Sequence, residues 1–281
     1  MKRVLLSIIT IGLLVITGCN NVTVMTMTTE KEKVVLCMAG SGTFIIDWGN
    51  GLGSETYSLS KYDENAWNNW HKQYDFIHEY SNTSSSKTII ITGKNITHLK
   101  CYNNDLMSLD VSKNSALTYL WCNYNYLTNL NVNKNPVLQE LDCENNQLTS
   151  LNLSKNTLLI GLNCSHNQLT SLDMSRNTKL TELMCKYNQL TSLDLSKNSA
   201  LVLLLCNSNQ LTSLDLGQNP ALELLFCGNN QLTNSALNAI FNSLNDTAED
   251  KTIVIINNPG ESDCDRSIAT TKSWTFREFS D

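Results

Sequence analysis

Seven cysteines recur in this chain at a constant interval of 21 residues. They are Cys101, Cys122, Cys143, Cys164, Cys185, Cys206 and Cys227. A fixed period of this length is typical of a solenoid, in which each coil of the chain stacks on the one before it. Because a single coil cannot bury its own apolar side chains, its stability depends on contacts with its neighbours. The period therefore predicts a stacked architecture for this part of the molecule.

Each 21-residue unit contains two similar halves. The first half has the pattern Leu-x-x-Leu-x-Cys-x-x-Asn, as in residues 138–146, and the second has Leu-x-x-Leu-Asp-Leu-Ser-Lys-Asn, as in residues 190–198. Alternate side chains of a strand point to the same face, so the leucines and cysteines are expected to point inward and to stack between coils. The asparagines that end each half predict two further ladders, whose amides pair with backbone groups freed at the turns.

The cysteine ladder is interpreted as structural rather than as a metal or redox site. The cysteines are single rather than paired as Cys-x-x-Cys, and no histidine ladder accompanies them. Stacked strands hold parallel Cβ atoms about 4.8 Å apart, which is too far for a relaxed disulfide. We therefore predict buried free thiols that act as small apolar side chains, and no metal site. Cys37 and Cys264, on either side of the repeats, are expected to be free and buried as well.

The repeat resembles the IRREKO-type leucine-rich repeats of bacteria, whose unit reads L-x-x-L-x-C/L-x-x-N-x-L-x-x-L-D-L-x-x-N. The match covers residues 96–233, and its register does not break. The resemblance implies a leucine-rich-repeat solenoid of seven 21-residue coils. The resemblance implies the fold more directly than it implies a binding role, because one fold serves many functions.

The N-terminus has the layout of a secretory signal. Lys2 and Arg3 precede a mainly apolar run, residues 4–16, which is too short to span a bilayer. The run leads into Ile16-Thr17-Gly18-Cys19, which resembles a bacterial lipobox. The resemblance implies a signal peptide of residues 1–18, lipid attachment at Cys19 and a location in the bacterial cell envelope, on the outer surface. The alternative is an ordinary signal peptide with a chance cysteine. Residues 19–32 are polar and rich in threonine, and they predict a tether from the lipid.

Residues 33–95 predict a separate small β-sandwich. The stretch Asp47-Trp48-Gly49-Asn50-Gly51, the segment His78-Glu79-Tyr80 and a strand over residues 88–93 resemble the PKD-type domain. Asn50 stands where that family commonly has Asp, which argues against a cation at the turn. Trp67 and Trp70 lie between these strands and either cover the core of the sandwich or stack on sugar rings.

Residues 234–281 predict an α/β cap. Leu237, Ile240, Phe241 and Leu244 have helical spacing after Asn234, a candidate N-cap, and residues 253–256 predict a strand. A cap is physically required, since the last coil would otherwise expose its leucines and an open strand edge. The complete chain is therefore predicted to be mainly β, with a small β-sandwich before the solenoid and the α/β cap after it.

Charge and motifs exclude several function classes. The formal net charge of −6 makes the chain a poor partner for nucleic acid. The sequence has no nucleophile elbow, phosphate loop or His-Glu-x-x-His helix, and His98 and His166 lie three coils apart. We therefore predict no catalytic residues, no cofactor and no enzymatic activity.

Outward-facing positions of the first half-repeat differ from coil to coil, whereas those of the second half-repeat barely change. A purely structural requirement would repeat with the period, so the variable positions are candidates for recognition. The predicted binding residues are Tyr119, Trp121, Met184, Leu203, Leu205 and Phe226. Tyr119 and Trp121 are expected to be exposed aromatics of the kind enriched at binding hot spots. The leucines and Phe226 form either an apolar interaction patch or a surface that the cap covers.

The sequence thus predicts a non-catalytic envelope lipoprotein that binds protein ligands, from the host or the envelope, in adhesion or recognition. Its contact with the membrane would be the lipid at Cys19. The alternative is a surface protein that binds glycans through Trp67, Trp70 and Trp121.

Overall fold

The computed structural model of the chain describes residues 22–61, 75–81, 85–246 and 251–278. The predicted signal peptide, the predicted lipidation site Cys19, and Trp67 and Trp70 lie outside the described residues. Two sheets, of five and eleven strands, contain the strands of the described chain.

The strands of the N-terminal part and of the first coil are β1 Thr23–Thr29, β2 Lys33–Gly40, β3 Gly42–Asp47, β4 Ser54–Leu59, β5 Asp75–Glu79, β6 Lys87–Gly93, β7 Ile96–Lys100 and β8 Leu106–Asp110. The repeat strands that follow are β9 Tyr119–Trp121, β10 Glu140–Asp142, β11 Gly161–Asn163, β12 Glu182–Met184, β13 Leu203–Leu205 and β14 Leu224–Phe226. The C-terminal part contains helix α1 Asn234–Ser243, β15 Lys251–Val254, helix α2 Ser267–Thr270 and β16 Trp274–Phe276.

The eleven-stranded sheet confirms the predicted solenoid. Strand β7 and strands β9 to β14 pair in parallel, and each residue lies beside the residue 21 positions later, as Leu120 beside Leu141 and Leu141 beside Leu162. Strands β15 and β16 continue the same parallel sheet beyond β14. The predicted α/β cap therefore closes the solenoid by adding strands to its sheet, with α1 and α2 between them.

The interior of the solenoid is built from the repeated leucines and cysteines. All seven ladder cysteines are fully buried and free of disulfides. Burial raises the pKa of the Cys101, Cys164 and Cys227 thiols to about 12, so they stay protonated and unreactive at neutral pH. The predicted burial of the ladder thiols, without disulfides, is confirmed. Cys37 is buried and free as predicted, whereas Cys264 is free but only half-buried.

The first asparagine ladder joins consecutive coils. The Nδ2 group of Asn146 donates to the carbonyl oxygens of Cys122, at 3.0 Å, and Cys143, at 3.1 Å, and its Oδ1 accepts from the Leu127 amide at 3.0 Å. The same pattern recurs at Asn125, Asn167, Asn188, Asn209 and Asn230. Each amide thus satisfies buried groups on two coils, which the sequence predicted.

The second ladder is less completely paired. The Nδ2 group of Asn156 donates to the carbonyl oxygens of Val132, at 3.0 Å, and Asn135, at 2.9 Å. Its Oδ1 is buried without a hydrogen-bond partner, as are those of Asn114, Asn135, Asn177, Asn198 and Asn219. A buried acceptor without a partner costs free energy, so this ladder stabilises the coils less than the first does.

The N-terminal strand corrects the predicted tether of residues 19–32. Strand β1 is the fourth strand of the five-stranded sheet, whose order is β4-β3-β6-β1-β8. Met25 and Met27 point into the core and are fully buried, with Thr23 and Thr29 on the same face. The physical reason is the alternation of Met and Thr, in which every second side chain reaches the apolar interior.

The predicted boundary between residues 95 and 96 is also wrong. Strand β1 pairs with β8, and β2 pairs with β7, so both sheets cross that boundary. One hydrophobic core runs from Phe44 and Trp48 through the leucines of the coils to Trp274. The N-terminal strands therefore share both sheets and the core with the first coil and close it, because a solenoid end needs its apolar face covered.

The residues of the proposed PKD-type motif do come together. The Tyr80 hydroxyl donates to the Trp48 carbonyl oxygen at 2.7 Å, and the His78 ring stacks on Trp48 with centroids 4.9 Å apart. The resemblance to that domain stays a prediction.

At the C-terminal end, the N-cap of helix α1 is Thr233, one residue before the predicted Asn234. The Thr233 hydroxyl accepts a hydrogen bond from the Ala236 amide at 3.3 Å.

Candidate binding face

The outward side chains of strand β7 and strands β9 to β14 form one surface, which we call the variable face. It comprises residues 98, 100, 119, 121, 140, 142, 161, 163, 182, 184, 203, 205, 224 and 226. The central residue of each repeat strand, such as Leu120 or Leu204, points inward and is fully buried, so its two neighbours point outward. All six predicted binding residues lie on this face, and those of β9 and β14 are separated by about 24 Å of stacked strands.

A depression of about 310 Å³ lies in the variable face between β9 and β12. It brings together Trp121 and Met184, two of the predicted residues, with Glu140, Asp142 and Gly161. The floor is open at Gly161, where an added Cβ atom would meet only the Glu140 Cγ atom, at an ordinary contact distance of 3.6 Å. Ile160 and Glu182 complete the rim, whereas Tyr119, Leu203, Leu205 and Phe226 do not line the depression.

Carboxylates give the depression an acidic and partly desolvated lining. Burial raises the pKa of Asp142 to about 6, although a hydrogen bond from the Glu144 amide to Asp142 Oδ1, 3.1 Å long, opposes the shift. Burial and then repulsion from Glu182 raise the pKa of Glu140, despite a hydrogen bond from Trp121. Perturbed carboxyl groups in a concave site are typical of binding positions, because a bound cation would offset the cost of burying them.

The side of the depression nearest the N-terminus is rigidly packed. The Lys100 ammonium lies 3.5 Å from the centre of the Trp121 ring, and burial lowers the pKa of Lys100 to about 8. The His98 ring stacks on Tyr119 with centroids 4.3 Å apart, and burial lowers the pKa of His98 to about 4, so the imidazole is neutral at pH 7. Tyr119 and Trp121 are consequently half-buried rather than the exposed aromatics that the sequence predicted.

The apolar patch at the other end of the variable face is half-buried too. Leu203 pairs with Leu224, and Leu205 with Phe226, across adjacent strands. The cap strand β15 continues the sheet beside β14, with Val254 next to Phe226. The cap thus extends the sheet that carries Leu203, Leu205 and Phe226.

A second surface, which was not predicted from the sequence, lies where the strands turn. Tyr124, Asn145, His166 and Tyr187 occupy equivalent turn positions with positive φ angles between 51° and 55°. Tyr124 and Tyr126 are about half exposed, and they border a polar depression of about 380 Å³ with Asp105, Asn145 and Gln147. The 21-residue spacing was the available signal, because it places Tyr124, Asn145 and His166 in one row.

The parallel register, the ladder thiols and the two asparagine ladders decide the fold. This fold is a leucine-rich-repeat solenoid. The functional domain of InlJ from Listeria monocytogenes, which includes a cysteine ladder, is 33% identical to the chain, with a TM-score of 0.51 over 65% of this chain and 44% of that one. An internalin (InlF) from the same species is 24% identical, with a TM-score of 0.53 over 61% of this chain and 51% of that one. Internalin C2 from L. monocytogenes is 18% identical, with a TM-score of 0.55 over 65% and 81% of the two chains.

The leucine-rich-repeat chain spans about half the length of the first two of these structures. No protein-family profile matches its sequence, and no curated protein does. In the described residues of the solenoid, no group of three or more His, Cys, Asp and Glu side chains has the geometry of a metal site. No helix within the described ranges is long and apolar enough to cross a bilayer.

Proposed function

We propose that this leucine-rich-repeat chain is a non-catalytic recognition protein, which binds a protein ligand through the variable face. The single observation that carries the proposal is the depression that unites Trp121 and Met184. Tryptophan and methionine are enriched at the centres of protein interfaces, where a concave setting excludes water from the contact. The internalin-like structures support a recognition role, and the parallel sheet supplies an extended docking surface.

The variable face combines features that a binding surface needs. Its side chains differ in every coil. The inward leucine between each pair of outward residues is fully buried, and the ladders on either side fix its position. Such a face holds its side chains in place before the ligand arrives, which reduces the entropy lost on binding. Leu203, Leu205 and Phe226 provide a second apolar contact region that adjoins the depression, because Leu205 lies beside Met184 on the next strand and Phe226 lies one strand further on.

We also propose that the chain works in the bacterial cell envelope, on the outer surface, held by lipid at Cys19 after removal of residues 1–18. Its ligand would then be a host or envelope protein met in adhesion or recognition. Incorporation of labelled palmitate into the wild-type protein, and its loss in Cys19→Ser, would support the anchor. Labelling that is equal in both proteins would exclude it.

The binding proposal is tested by photo-crosslinking in cells. A benzophenone amino acid at position 163, which lines the depression, is expected to capture a partner. The same probe at position 192, on the second half-repeat, is expected to capture none. The purified partner is then titrated against Trp121→Ala, with Met107→Ala as a control because Met107 is exposed on strand β8 of the other sheet. Loss of affinity in both variants, or in neither, would exclude the variable face.

Glycan binding is the second candidate, and one observation favours it. The exposed rings of Tyr124 and Tyr126 border the polar turn depression, where Asp105, Asn145 and Gln147 supply hydrogen-bonding groups. Aromatic faces combined with such groups suit sugar rings. A glycan array probed with wild type and Tyr126→Ala tests this candidate, and signals equal in both would reject it.

A further inference from the structure

We propose that the protein ligand inserts a lysine or arginine side chain into the depression between β9 and β12. This inference rests on the proposed function and specifies the chemistry of the ligand at that site. A volume of about 310 Å³ is at the small end of ligand pockets, which suits one long side chain of a docked segment rather than a broad surface.

The charges of the depression are complementary to a cation. Glu140, Asp142 and Glu182 line it. Neither the hydrogen bond from Trp121 nor the attraction of Lys100 offsets the burial of Glu140 and its repulsion from Glu182. A guanidinium or ammonium among these groups would neutralise that repulsion and form charge-assisted hydrogen bonds.

The walls of the depression suit the rest of a basic side chain. Trp121 holds the ammonium of Lys100 3.5 Å from its ring centre, and the same indole lines the depression, where it offers apolar surface to the stem of a basic side chain. Met184 and Ile160 lie on the rim and offer apolar surface to the methylene groups of a lysine or arginine. Gly161 leaves the floor open, so a long side chain can reach the carboxylates.

The experiment selects random peptides of about twelve residues, displayed on phage, for binding to the whole protein. This length suits an extended docked segment. Clones that Trp121→Ala also retains are discarded, which leaves clones that depend on the depression. These clones are expected to share a lysine or arginine at one position. Synthetic peptides with citrulline in place of that arginine, or acetyl-lysine in place of that lysine, are expected to bind about tenfold more weakly or worse.

Variants of the protein provide the matched test. Glu140→Gln combined with Glu182→Gln is expected to weaken the basic peptide about tenfold and to abolish its preference over the citrulline form. Asp194→Asn combined with Asp215→Asn is the control, because these carboxylates lie exposed on the second half-repeat. Circular dichroism shows whether each variant is folded, and the citrulline comparison on wild type decides the matter even if a variant unfolds.

The outcomes separate this inference from the proposed function. Clones that depend on Trp121 but share no basic residue would overturn the inference and leave the variable face as a binding surface. No clone that depends on Trp121 would count against both. Displacement of the peptide by micromolar Ca²⁺ or spermidine, with no discrimination against citrulline, would assign the depression to a free cation and overturn the inference.

Discussion

The ammonium of Lys100 lies over the indole ring of Trp121, 3.5 Å from its centre. Lys100 ends strand β7 and pairs with Cys37 of β2, so the N-terminal strands bury it. The contact therefore connects the closure of the first coil to one wall of the depression. It also explains why Trp121 is half-buried and held in one orientation.

Lys100→Met is expected to increase the free energy of unfolding at pH 7 by about 1–2 kcal/mol. Methionine is similar in length to lysine, so the substitution removes the buried charge and keeps most of the packing. Burial holds the folded-state pKa of Lys100 near 8, below the ordinary value of 10.5. The wild-type folded state therefore gains stability as pH rises from about 8 to 10.5 and Lys100 loses its proton. Urea unfolding of both proteins at pH 7 and pH 10 checks this.

The advantage of Lys100→Met should shrink between those pH values. An advantage that is equal at both would show that Lys100 is not desolvated in the folded state. A large destabilisation at pH 7 would show that the contact with Trp121 outweighs the cost of burial.

The sequence predicted the solenoid because its information is periodic. A 21-residue spacing places each residue beside its counterpart in the next coil, and inward leucines alternate with outward positions. The same arithmetic puts Trp121, Asp142, Asn163 and Met184 in one row, which would have identified most of the depression.

The errors arose where contacts are not periodic. Strand β1 joins β6 and β8, which lie far away in the sequence, and no local pattern announces those pairings. The burial of Lys100 by β2 and the stacking of His98 on Tyr119 depend on the same closure of the first coil. Exposure at the end of a repeat array is set by what covers it, which the repeat itself does not encode.

Asp142→Asn is expected to stabilise the protein at pH 7 by about 2 kcal/mol, because asparagine keeps an acceptor for the Glu144 amide without the charge. The folded-state pKa of Asp142 is about 6, above its ordinary 3.8. The wild type therefore loses stability as pH rises from about 4 to 6, and the two proteins should converge below pH 4. Thermal unfolding from pH 3.5 to 7 measures the difference, and a gap that persists at low pH would contradict the assignment.

Asn146→Leu is expected to cost roughly 1–3 kcal/mol, since it leaves the Leu127 amide and two carbonyl oxygens unpaired. Asn156→Leu should cost less, because Asn156 pairs two carbonyl oxygens and its own Oδ1 has no partner. Guanidinium unfolding of the two variants ranks the ladders. Equal losses would mean that the unpaired oxygens of the second ladder find partners in solution.

Met27→Ala is expected to cost about 2–5 kcal/mol, as for other fully buried methionines. A tether would tolerate the same change without loss, so the variant separates strand β1 from the tether predicted by sequence. Thr26→Ala is the matched control, because its side chain lies on the opposite face of β1. Unchanged unfolding of Met27→Ala would remove β1 from the core.

The most direct test of recognition by the variable face is a calorimetric titration of the Gly161→Leu protein with the purified partner that photo-crosslinking identifies. Leucine fits without backbone strain, because an added Cβ meets only one atom at ordinary contact distance, and it fills the depression. We expect affinity to fall about tenfold or more while the melting temperature is unchanged, and Ser192→Leu, on the second half-repeat, to bind as wild type does. Wild-type affinity in a folded Gly161→Leu protein would contradict the account.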